Sequence, residues 1–162
     1  VQYNLNLNST KTIAYRDSLT GIKNRYSMFK DIELRMNEKD NFSLLFLDLD
    51  DLKGVNDKHS HNVGDKYIKE FTRVLVKLLE FKGEAYRFAG DEFICLLKKP
   101  LSKDEVEVLE QDIIYGIEDS FEFNGVSIGC ANYPENGTSA DLLINYADNA
   151  MYGEKRRKKV RR

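Results

Sequence analysis

Apolar positions recur along the chain with two different periods, and their alternation lays out an α+β domain. In residues 24–39, Tyr26, Phe29, Ile32 and Met36 fall on one helical face behind Asp17-Ser-Leu-Thr-Gly21, a turn rich in capping residues. Residues 42–50 (FSLLFLDLD) form an almost continuous apolar run, too short for a typical helix, which predicts a strand buried on both faces. Tyr67, Ile68, Phe71, Val74, Leu75, Leu78 and Leu79 hold the i, i+3, i+4 spacing without a miss, so residues 64–81 are predicted as a helix covering one face of a sheet. Residues 84–99 read as a hairpin whose arms, 85–88 and 93–97, flank the tight turn Ala89-Gly90-Asp91-Glu92. Ser102 and Glu105 make a capping box ahead of the stripe Val106, Leu109, Ile113 and Ile117. Val126, Ile128 and Cys130 alternate with Ser127, Gly129 and Ala131 as a strand does, and Thr138 with Asp141 opens a last helix carrying Leu143, Tyr146, Ala147, Ala150 and Met151. Residues 5–15, polar with scattered apolar positions, read as a helix entering the domain. The predicted order is α-α-β-α-β-β-α-β-α, a split βαβ arrangement; the central hairpin disfavours a doubly wound parallel sheet.

Composition narrows the class. A chain of 162 residues, 41% hydrophobic and 32% charged, can build one domain with a sizeable core, which excludes intrinsic disorder. No apolar run approaches the roughly 18 residues of a membrane-spanning helix. Cys95 and Cys130 lack partners at zinc-ligand or CxxC spacing and read as buried reduced thiols, which points to the cytoplasm. The net charge of -2 gives no reason to bind nucleic acid or an anionic membrane. Residues 155–162 (KRRKKVRR) are strongly basic, either a solvated end or a phosphate-binding helix terminus. The chain opens on Val1 without a signal peptide, so a longer protein with an upstream sensor is expected.

Candidate chemistry begins where the buried strand ends. Asp48-Leu-Asp50-Asp51 places three acids in four residues, with Asp48 and Asp50 on one side of the strand. Crowded carboxylates repel unless a cation lies between them, which makes a divalent-metal site attractive; solvated loop acids are the plain alternative. Asp91 and Glu92 at the hairpin tip converge on the same sheet edge if the hairpin lies beside that strand, and an oxygen-lined site there suits Mg²⁺ and a triphosphate. The polar stretch between, residues 53–65, contains Asn56 and Asp65, side chains that can together read a guanine edge, although singly they suit a turn and a helix start. His59 and His61 have no third ligand to complete a zinc site.

These residues amount to a resemblance. Asp17-x-Leu-Thr-Gly-x-x-Asn-Arg25, Phe46-Leu-Asp-Leu-Asp-x-Leu-Lys-x-x-Asn-Asp57 with His61 and Asp65, Arg87-Phe-Ala-Gly-Asp-Glu-Phe93, and Ala147-Asp-x-Ala-Met-Tyr152 with Lys155 together resemble the GGDEF-domain diguanylate cyclases. The resemblance implies a ferredoxin-like palm related to nucleotidyl cyclases, a mainly antiparallel sheet surrounded by helices. It implies residues 1–16 as a linker helix from an N-terminal region bearing a sensory or receiver domain, and residues 17–162 as the catalytic domain. The implied reaction joins two GTP into cyclic di-GMP, a bacterial second messenger, across a homodimer. Asp48, the carbonyl of Leu49, Asp91 and Glu92 would bind Mg²⁺, two ions in the substrate complex, with Mn²⁺ as a substitute. Asp91 would be the base and Lys53 would stabilise phosphate charge, aided by backbone amides around Asp51 and Leu52. Asn56, His61, Asp65 and Lys155 would bind substrate, with Asn56 and Asp65 on guanine and Lys155 on the terminal phosphates. The chain departs from the family pattern at Ala89 and Ser60, each in place of glycine, at Lys159 in place of arginine, and at Glu80-Phe-Lys-Gly83, which lacks the Arg-x-x-Asp product-inhibition motif. A GTP-binding signalling module without strong catalysis is the alternative reading.

Overall fold

The elements of the computed structural model, which describes residues 14–117 and 122–161, run α1 (Arg25–Asn37), β1 (Phe42–Leu49), α2 (Leu52–Lys58), α3 (His61–Leu79), β2 (Gly83–Ala89), β3 (Glu92–Leu97), α4 (Lys103–Gly116), β4 (Val126–Tyr133) and α5 (Ala140–Val160). The strands form one sheet in the order β2-β3-β1-β4, with every neighbouring pair antiparallel. The hairpin partner β3 thus lies between β1 and β2, the split βαβ arrangement expected from the hydrophobic pattern, and the fold is the α+β class anticipated.

β1 is apolar on both sides because it is interior to the sheet and lies under helices on both faces. Leu45, Leu47 and Leu49 pack with Phe93, Cys95, Val126 and Ile128 beneath α3 and α4. Phe42, Leu44 and Phe46 pack with Tyr86, Ile94 and Leu96 against α1 and α5. Leu44, Leu45, Leu47 and Leu49 are 0% exposed, and each such side chain contributes about 1.5–3 kcal/mol of burial energy. The second core extends to α5, where Leu143, Ile144, Ala147 and Met151 are buried. α5 can lie so close to β4 because Gly129 carries no side chain: a Cβ there would fall within the α5 backbone at Ala147 and Met151.

Several element boundaries differ from the pattern-based ones. α3 starts at His61 with Ser60 as its N-cap, because its first turn is largely solvent-facing and leaves no apolar signal. The Ser60 hydroxyl accepts from the Val63 N–H, so serine in place of the family glycine serves the helix start. The cap of α5 is Ser139, which accepts from the Leu142 N–H, rather than Thr138. The Ser102–Glu105 capping box forms as read. The polar stretch after β1 contains α2, which sequence periodicity misses because this helix of 7 residues buries only Leu52. The helix read in residues 5–15 lies outside the described residues except for Ala14 and Tyr15, which are helical. Cys95 is buried, Cys130 only half-buried; both are free, and burial pushes both thiols up from the usual range. No helix among the described residues is long and apolar enough to cross a membrane.

Gly129→Ala should force α5 off the sheet, with a loss at or beyond the upper end of the about 1–3 kcal/mol typical of overpacked cores. Urea unfolding measures this; an unchanged midpoint would contradict the close approach described.

Candidate functional site

Antiparallel register sets Asp48 opposite Glu92 of β3 on one side and Ser127 of β4 on the other. The Leu49 N–H donates to the Asp91 carbonyl at 3.0 Å, which ties the hairpin turn to the end of β1. Asp48, Asp91 and Glu92 consequently offer carboxylate oxygens that all lie within 4.8 Å of one another. All three residues are half-buried. Burial, reinforced by the Asp91 charge, pushes the Asp48 carboxyl up to about 6 against the opposing pull of Lys155. Glu92 is raised for the same reasons, burial first, then Asp91 and Asp148. Asp48 Oδ1 is sealed from solvent and no directed hydrogen bond reaches it, while Lys155 Nζ stands 3.1 Å away as an ion pair. An oxygen-only set of mutually repelling acids fits a hard divalent cation such as Mg²⁺ and does not suit zinc.

The hairpin tip is fixed by Arg87. Its guanidinium donates to the Gly90 carbonyl at 3.0 Å and pairs with Asp17 at 3.1 Å, while its backbone N–H donates to the Lys23 carbonyl at 3.0 Å. Asp17 in turn accepts from the Thr20 N–H at 2.9 Å and hydroxyl at 2.7 Å. Burial raises the Asp17 carboxyl, but the bonds from Thr20 and Arg87 outweigh it and hold it below the ordinary value. The turn at Asp17 and the turn at Asp91 are therefore one unit, a long-range link that spacing along the chain does not reveal. Ala89 lies outside the left-handed backbone region, so replacing glycine there adds no strain to the turn.

The other acids of the first cluster take different parts. Asp50 accepts from the Ser127 hydroxyl at 2.8 Å, pairs with Lys158 at 3.2 Å and donates its N–H to the Gly125 carbonyl at 2.9 Å. It is thereby neutralised away from the other three. Asp51 adopts a left-handed conformation, φ 57, and its side chain accepts from the Gly54 N–H at 3.2 Å to cap α2. Lys53 is exposed in the first turn of α2, and Leu52 is buried beneath it. Asn56 packs against Gly64, where a Cβ would overlap its side-chain oxygen, which brings it next to the turn of α3 bearing Asp65. His61 and Asp65 are exposed, and among the described residues no hydrogen bond or ion pair links Lys53, Asn56, His61 or Asp65 to the acids at 48, 91 and 92. A cavity of about 380 Å³ under α2, lined by Asp51, Val55, Lys58, Tyr67 and Asn124 among others, includes only Asp51 of the residues expected to bind substrate. Of those residues, His61 and Asp65 are exposed, Asn56 is half-buried and Leu52 is buried. The basic end of the chain is helical through Val160, and Lys155 and Lys158 turn inward onto acids rather than into solvent.

Comparison with known proteins bears on the family and the fold. The family model described as "Diguanylate cyclase, GGDEF domain" matches residues 14–161. The cyclic di-GMP phosphodiesterase PdeR of Escherichia coli is 31% identical over 90% of this chain and 23% of its own length. The diguanylate cyclase DgcP of the same organism is 31% identical over 90% of this chain and 46% of its own length. The chain thus spans less than half of either relative. Among solved structures, a sensory box/GGDEF family protein from Caulobacter crescentus superposes with a TM-score of 0.76 at 29% identity, covering 88% of this chain and 98% of that one. The diguanylate cyclase SiaD of Pseudomonas aeruginosa, solved with its activator SiaC, gives 0.77 at 26% identity over 96% of this chain and 63% of that one. With the motifs in order, the split βαβ sheet in place and the family model matched across every described residue, the chain belongs to the GGDEF domain family.

Proposed function

We propose that this domain is a diguanylate cyclase that joins two GTP molecules into cyclic di-GMP, releasing two pyrophosphates, with each domain of a homodimer holding one nucleotide. The observation that carries this reading is the convergence of the Asp48 and Asp91 carboxylates from adjacent strands. Asp48, Asp91, Glu92 and the carbonyl of Leu49 would hold Mg²⁺, or Mn²⁺ in its place. Bound there, the cation supplies neutralising charge for the phosphates and lowers the pKa of the attacking hydroxyl. Asp91, whose carbonyl accepts from the Leu49 N–H in a turn that Arg87 ties down through the Gly90 carbonyl, would accept the ribose 3′ proton. Lys53 and the backbone amides around Asp51 and Leu52, at the start of α2, would meet phosphate; first-turn N–H groups lack intrahelical partners. Asn56 and Asp65 would read guanine, His61 would contact the nucleotide, and Lys155 would reach the terminal phosphates. Each 3′ oxygen attacks the α-phosphorus of the opposite nucleotide as pyrophosphate departs, so a second domain is needed to present its partner. The reading further assigns residues 17–162 to the catalytic unit of a cytoplasmic region controlled by an upstream sensory or receiver domain, with residues 1–16 as linker, and no role for nucleic acid or membrane.

A second reading is a GTP-binding signalling module with weak or no turnover. Ala89 in the hairpin motif and the phosphodiesterase name of one relative favour it. The retention of both hairpin acids and the unstrained turn at Ala89 favour the cyclase.

Asp91→Asn should lower cyclic di-GMP formation from GTP and Mg²⁺ by at least about 100-fold, the scale of a lost general base, with the circular dichroism spectrum unchanged. Retained synthesis would remove Asp91 from its role, and wild-type protein that binds GTP tightly but makes no product at high concentration would favour the module.

The raised Asp48 carboxyl has a defined sign. The folded chain binds this proton more tightly than the unfolded chain, so the site's contribution to metal-free stability is full below the ordinary carboxylate pKa and is lost as pH rises through about 6. Asp48→Asn in EDTA should therefore raise Tm at pH 7.5, by an amount that narrows as pH falls through about 6 and closes only below the ordinary carboxylate range. A thermal scan across pH checks this; a lower Tm for the variant at neutral pH would contradict the cost of burying this carboxylate beside Asp91.

A further inference from the structure

We propose that Lys155 is a built-in counter-ion for Asp48 which the phosphates of an arriving nucleotide draw away, so that cation and nucleotide binding are coupled through this one side chain. The proposal rests on the reading of Asp48, Asp91 and Glu92 as cation ligands and deepens it.

α5 sets two lysines one helical turn apart against two acids two residues apart at the end of β1, Lys155 on Asp48 and Lys158 on Asp50. The two pairs are built differently. Lys158 Nζ is held by three acceptors: Asp50 at 3.2 Å, Glu110 at 2.9 Å and the Val126 carbonyl. It clamps the end of α5 to β4, to α4 and to the segment after β1. Lys155 has one carboxylate partner among the described residues, Asp48, and the contact is an ion pair off the line of a directed hydrogen bond. The stem of Lys155 is thus fixed by its neighbour one turn on, while its ammonium, on a flexible four-carbon chain, is free to exchange partners.

Charge balance gives that exchange a direction. Asp48 is the least accessible member of its pair, its side chain 14% exposed against 25% for Lys155, so the carboxylate stands to lose more by being left unpaired. A divalent cation shared by Asp48, Asp91 and Glu92 would lie within a few ångströms of the Lys155 ammonium, and the two positive charges disfavour each other. A triphosphate reverses this by offering the ammonium a second anionic partner. Whatever affinity the nucleotide thereby adds to the cation, the cation adds equally to the nucleotide. Lys155 would keep the acids compensated in the empty site and make occupation by metal alone unfavourable.

The test is titration of the whole chain with Mn²⁺, free ion followed by electron paramagnetic resonance, with and without α,β-methylene GTP, which cannot release pyrophosphate. Lys155→Met should bind Mn²⁺ alone about tenfold more tightly than wild type and lose most of the nucleotide-driven tightening. Lys155→Gln, which keeps a polar side chain of similar length, should do the same. Unchanged or weaker binding of Mn²⁺ alone by both variants, where Asp48→Asn with Lys155 retained abolishes binding, overturns the counter-ion role and leaves the cation site standing. Mn²⁺ binding that survives Asp48→Asn overturns both.

Discussion

The constraint on which this domain turns is electrostatic: three carboxylates are brought to one point by hydrogen bonds that do not involve them. Backbone pairing between β1 and β3 sets Asp48 across from Glu92, and the bond from the Leu49 N–H to the Asp91 carbonyl draws the hairpin tip alongside. The side chains follow the ladder. The resulting electrostatic strain comes first from burial and then from mutual repulsion, the two causes that push Asp48 and Glu92 upward, and the core beneath them supplies the stability that holds it. Leu45, Leu47 and Leu49 on one face and Phe42, Leu44 and Phe46 on the other make β1 the most buried strand, so Asp48 sits near the end of the best-packed strand of the sheet.

Cationic side chains around the cluster distribute that strain. Lys158 removes Asp50 from the group, Arg87 locks the hairpin tip to the turn at Asp17, and Lys155 partly compensates Asp48. Two of these three come from α5, whose close seating depends on Gly129. Packing on the second face of the sheet therefore bears directly on the charge balance of the site, through a helix whose residues lie about a hundred positions from the acids they meet.

Much of this was legible in the chain. β1, α3 and the hairpin announce themselves because their apolar positions are dense and periodic, and the acids at 48, 91 and 92 could be placed together once the hairpin was set beside the strand. What was not legible is of two kinds. α2 escapes because seven residues with one buried position carry no period. The pairing of Asp17 with Arg87 and of Asp50 with Lys158 escapes because ion pairs across 70 and 108 positions leave no local pattern. The three acids within residues 48–51 look alike in the sequence, yet one joins the cluster, one is neutralised and one caps a helix. Only tertiary contacts separate them.

The central claim is that Asp48 and Asp91 share one cation. Crystals grown with Mn²⁺ and α,β-methylene GTP, measured for anomalous scattering, test it most directly. The account predicts a peak with a carboxylate oxygen of each residue at the about 2–2.2 Å expected of such ligands. A peak bound by only one of the two, or located elsewhere on the domain, would contradict it.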